Sequence, residues 1–63
     1  MDAMLRYFKY DHLPERLQAV SLPFHTLAHQ LAADLPPGPE ATTALRRLLE
    51  SKDCAVRAVA IDG

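Results

Sequence analysis

The chain has 63 residues, 49% of them hydrophobic, and its seven basic and eight acidic side chains leave a formal net charge of −1. A chain this short makes one domain, hiding only ~60% of the surface its unfolded form exposes, and its apolar content excludes disorder. The balanced charge excludes the basic field on which nucleic-acid binding depends, so a small DNA-binding regulator is disfavoured.

Residues 1–13 form an arm that holds all but one of the aromatic side chains, in Tyr7-Phe8-Lys9-Tyr10. Met1-Asp2-Ala3-Met4-Leu5-Arg6 shows no positive stretch followed by an apolar run, and no apolar segment in the chain approaches membrane length, so a soluble, cytoplasmic protein is expected. The arm is not cleanly periodic. A lone strand would find no partner here, so a short helical turn or an extended arm packed on the rest is the expectation.

A first helix is expected over about 14–35. Pro14 stands at its start and Glu15 in its first turn, and Leu17, Val20, Phe24, Leu27, Ala28, Leu31 and Leu35 recur as one apolar stripe. Pro23 lies inside and should kink the helix or split it, with Ser21 capping a second piece from Leu22. Residues 36–39 then read as a hinge. Pro36 and Pro37 end the helix, Gly38 frees the turn, Pro39 presets the next helix, and Glu40 places a carboxylate at its positive end.

A second helix is expected over about 40–60. Leu45, Leu48, Ala55 and Val59 would meet the first helix, with the stem of Lys52 lying along the same row and its ammonium outside. Ala41, Leu49, Val56 and Ala60 would turn partly away. That face is wider than one neighbour can cover, which points to a homo-oligomer. Cys54, the only cysteine, has no internal disulfide partner, and no Cys/His cluster has zinc spacing, so assembly is also the remaining remedy for a small core. Asp62 and Gly63 offer no cap, and the end is expected to fray. The fold class is an all-α antiparallel helical hairpin with a short N-terminal arm or helix, in a single domain that assembles as a homo-oligomer.

Chemistry-bearing residues are few. His25 and His29, four apart, share a helix face, and His12 is a third imidazole, but no carboxylate completes a metal motif and no metal or cofactor is assigned. Ser21, Ser51, Thr42, Thr43 and Cys54 lack a base placed beside them by any motif, so no enzyme is assigned. Phe8 and Tyr10, beside Lys9 and Arg6, offer flat π faces next to cations, a combination that suits a nucleobase joined to phosphate. Phe8 could equally fill the core. Arg57, and less so Arg46 and Arg47, could supply phosphate forks or simply lie on the polar face.

The series Phe8-Lys9-Tyr10, Leu13-Pro14, Leu27-Ala28, Leu35-Pro36, Pro39-Glu40, Ala44-Leu45, Leu49-Glu50 and Ala55-Val56-Arg57-Ala58 resembles the helical hairpin of the small phage sponges that counter CBASS and Thoeris immunity. The likeness covers roughly residues 8–60, largely at hairpin-forming positions. It implies a non-enzymatic protein in the host cytoplasm that captures a cyclic di- or trinucleotide, or a cyclic ADP-ribose isomer, at interfaces of a dimer-to-hexamer assembly. It also implies a base-stacking role for Tyr10 and a phosphate or base contact for Arg57. The family's lysine on the first long helix falls at His25, a departure, since neutral imidazole carries no fixed charge; Thr26 could donate a hydroxyl instead. The same apolar face also suits a helical protein–protein interaction module, which would bind a partner chain and ignore nucleotides.

Overall fold

The computed structural model of the protein describes residues 2–62, with side chains described for 3–61. Four helical elements follow one another: α1 (Asp2–Leu5), a 3-10 turn (Arg6–Phe8), α2 (Glu15–Asp34) and α3 (Pro39–Asp62). No strand occurs among the described residues. Of the two residues expected to fray, Asp62 is the last helical residue of α3, and Gly63 lies outside the described residues.

The hinge is built by backbone chemistry. The Leu35 amide donates to the Leu31 carbonyl at 2.9 Å, the last such bond of α2. Leu35 itself is extended (φ −84°, ψ 140°), as a residue before proline prefers. Gly38 has φ +159°, which L side chains rarely adopt, and its carbonyl accepts the Thr42 amide at 3.0 Å as the first bond of α3. The last residues of α2 and the first of α3 thus run side by side in opposite directions.

Pro14 is the residue before α2 rather than its first helical one. Its carbonyl accepts the amides of Leu17 and Gln18, both at 2.9 Å. Pro23 does not divide α2: the element is continuous through it, no second piece begins at Leu22, and Ser21 caps nothing. The ring removes the amide that would bond the Ala19 carbonyl, but Ala19 and Pro23 are both exposed, so water can satisfy that oxygen. Ser21 is instead fully buried, and its Oγ has no hydrogen-bond partner among the described residues.

Phe8, Ala28 and Leu45 form the buried core, with Met4, Leu5, Phe24, Leu31, Leu48 and Leu49 packed against it. Three positions depart from the stripe expected in the sequence. Leu27 is 41% exposed; neighbours on a helix point about 100° apart, so of the Leu27-Ala28 pair only one faces α3. Ala41, expected to turn away, is buried, and Leu49 packs on the core. The chain's own arm supplies Met4, Leu5 and Phe8 to that cluster, so part of the surplus apolar face of α3 is covered without a second copy.

Two side-chain hydrogen bonds between α3 and the rest of the chain pin the arrangement. Arg16 Nη1 donates to the Val59 carbonyl at 3.2 Å, in the last turn of α3. Lys52 Nζ donates to the Tyr7 carbonyl at 2.8 Å, and its side chain is only 12% exposed. The ammonium expected to sit outside is a clip between α3 and the arm. No helix among the described residues is long and apolar enough to cross a membrane.

Candidate functional site

The arm reverses at Phe8. Its ring is fully buried against Ala28 and Leu45, and Lys9 then leaves helical geometry (φ −57°, ψ 143°), swinging the chain outward. Residues 10–13 make a turn closed by the Leu13 amide donating to the Tyr10 carbonyl at 3.1 Å. Gln18 Nε2 holds that turn against α2, donating to the carbonyls of Leu13 at 2.8 Å and Asp11 at 3.4 Å.

On α2, His25 Nδ1 lies 3.2 Å from the Phe8 carbonyl oxygen. A carbonyl only accepts, so Nδ1 carries the hydrogen and donates it. The half-buried Tyr10 ring meets His25 in a T-shaped contact with centroids 5.0 Å apart, and His29 follows with its ring centre 4.4 Å from that of His25. Lys9, Tyr10, Asp11 and His25 line an open groove of about 250 Å³. Its chemistry is an aromatic wall with a cation and a carboxylate on the rim, and those two charges cancel.

The residues expected from the sequence to contact a ligand fall into two groups by position. Tyr10, His25 and Lys9 come together in the groove. Phe8 contributes its backbone carbonyl, because its ring fills the core. Thr26 is exposed beside His25 but does not line the groove. Arg57 is exposed on α3 with Nη2 3.4 Å from Cys54 Sγ. The Arg16–Val59 bond sets the antiparallel register and places Arg57 level with the first turns of α2, about 10–12 Å along the axis from His25 at 1.5 Å per residue. Arg57 is not among the residues that line the groove. Arg6 is engaged with its neighbour, its guanidinium 5.0 Å over the Tyr7 ring and Nη2 bonded to the Tyr7 hydroxyl at 3.0 Å.

Sequence reasoning missed Asp11 on the rim and the positioning residues Gln18 and Lys52. Asp11 could have been flagged by its adjacency to Lys9-Tyr10 in one turn. The other two depend on which backbone carbonyls the fold leaves within reach.

Comparison with known proteins adds no assignment: no family model, curated protein or solved structure matches this chain.

Proposed function

We propose that this chain is a non-enzymatic anti-defence sponge, similar to the phage proteins that counter CBASS and Thoeris, which sequesters a cyclic nucleotide at the interfaces of a homo-oligomer in the host cytoplasm. The observation that carries the reading is the groove: Tyr10 braced by His25, with Lys9 on the rim. An aromatic face stacks on any base for about 1–3 kcal/mol, and the exposed Lys9 ammonium is the cation for a phosphate. The Asp11 carboxylate would repel that phosphate, so it is better used as an acceptor for a base amino group or a ribose hydroxyl.

The groove also argues for a second copy. Its volume of about 250 Å³ falls below the roughly 300–1,000 Å³ of pockets that enclose a small ligand. One chain supplies a wall; an adjoining copy would supply the lid, with Arg57 as a candidate fork. Leu22, Leu27 and Ile61 remain as exposed apolar side chains for such contacts.

The test is native mass spectrometry of purified protein with a panel of cyclic di- and trinucleotides and cyclic ADP-ribose isomers. The reading requires an oligomer that takes up one class of them in fixed stoichiometry and releases it chemically intact on denaturation. The exposed leucines favour the interaction module as a second reading. That reading takes over if the protein ignores every nucleotide and captures a specific partner chain.

A further inference from the structure

The groove uses His25 as an aromatic wall and leaves His29, exposed one turn further along α2, without a role. The two rings stand with centroids 4.4 Å apart and planes at 52°. Because His25 donates from Nδ1 to the Phe8 carbonyl, the lone pair of the neutral ring is on Nε2. Metal-ligating histidines share that arrangement, one ring nitrogen anchored on a carbonyl or carboxylate and the other offered to the ion.

The ring separation carries the argument further. A metal about 2.1 Å from an imidazole nitrogen lies about 3.2 Å from the ring centre, so two imidazoles at about 90° have centres about 4.5 Å apart, and at a tetrahedral angle about 5.2 Å. The observed 4.4 Å is compatible with the right-angled pair and shorter than the tetrahedral one. We propose that His25 and His29 form a two-imidazole site for a divalent transition-metal ion that accepts right-angled nitrogen ligands, Ni²⁺ or Cu²⁺, with water in the remaining positions. Among the described residues no group of three or more His, Cys, Asp or Glu side chains could hold an ion, so the site is open and exchangeable, unlike the closed four-ligand sites that hold a structural zinc. It requires no nucleotide and stands apart from the sponge reading.

The test is titration of Ni²⁺ into the tag-free full chain without nucleotide, followed by calorimetry and by NMR of the imidazole signals. Saturable binding of one ion per chain is expected, broadening the His25 and His29 signals and sparing His12. His29→Ala, at an exposed position that contributes no burial to the core and with its folding checked by circular dichroism, should lower affinity roughly tenfold or more, since even loss of an outer-shell partner costs 10–100-fold. Cys54→Ser and His12→Ala should bind as the unaltered chain does. Absence of saturable binding, retention of affinity in His29→Ala, or its loss in Cys54→Ser or His12→Ala would overturn the assignment.

Discussion

Replacing Lys52 by Met tests whether the arm is clipped to the hairpin by a charged hydrogen bond. Methionine keeps most of the buried stem and removes only the ammonium, which donates to the Tyr7 carbonyl at 2.8 Å. A hydrogen bond from a charged donor contributes about 1.5–3 kcal/mol. Tyr7 is half exposed, so water can replace the lost donor and the cost should fall at the low end, about 1.5 kcal/mol. The Lys52–Asp53 pair, 3.6 Å apart with Asp53 47% exposed, adds little. For a domain of this size each kcal/mol lowers Tm by about 4–8 °C, so Lys52→Met should melt about 6–12 °C lower. Thermal unfolding by circular dichroism reads the shift, and hydrogen exchange should show protection lost first around Phe8. A Tm within about 2 °C of the parent chain would mean that Phe8 burial alone holds the arm.

Other substitutions separate the core, the hinge and the site. Leu45→Ala removes a fully buried side chain and should cost about 2–5 kcal/mol. A chain of this length has roughly 3–9 kcal/mol in all, so denaturant titration should find much of the variant unfolded. Gly38→Val should cost about 1–3 kcal/mol through φ alone, because a Cβ there meets nothing within 4 Å; unchanged stability would show that the hinge relaxes freely. For the groove, Tyr10→Ala should weaken cyclic-nucleotide binding by about 1–3 kcal/mol, measured by calorimetry, while Tyr10→Phe keeps the ring and should bind nearly as well.

The hinge and both long helices were legible in the sequence because proline and glycine act on the backbone within one or two residues. Pro36 and Pro37 remove donors, and Gly38 takes a φ others avoid, whatever the rest of the chain does. Side-chain facing was less legible. Leu27 and Ala28 are adjacent and both apolar, and only the approach of α3 and of the Phe8 ring decides that the smaller one is buried. Continuity through Pro23 is helped by the exposure of Ala19 and Pro23, which lets water reach the freed carbonyl, and that exposure is a property of the packed structure. In the site, Tyr10 and His25 could be named from residue type, but their contact relies on the Phe8 carbonyl holding the imidazole. Arg57 suits a phosphate by chemistry alone, and nothing in residue type tells that it does not line the groove of its own chain.

The central claim is most directly tested by thermal shift of the purified chain against cyclic di- and trinucleotides and cyclic ADP-ribose isomers. A ligand at 100 times its dissociation constant adds ~2.7 kcal/mol, which in so small a domain raises Tm by about 10 °C or more. The account predicts such a rise with at least one of these molecules, and a smaller rise in Tyr10→Ala at the same concentration. No rise with any member of the panel would contradict it.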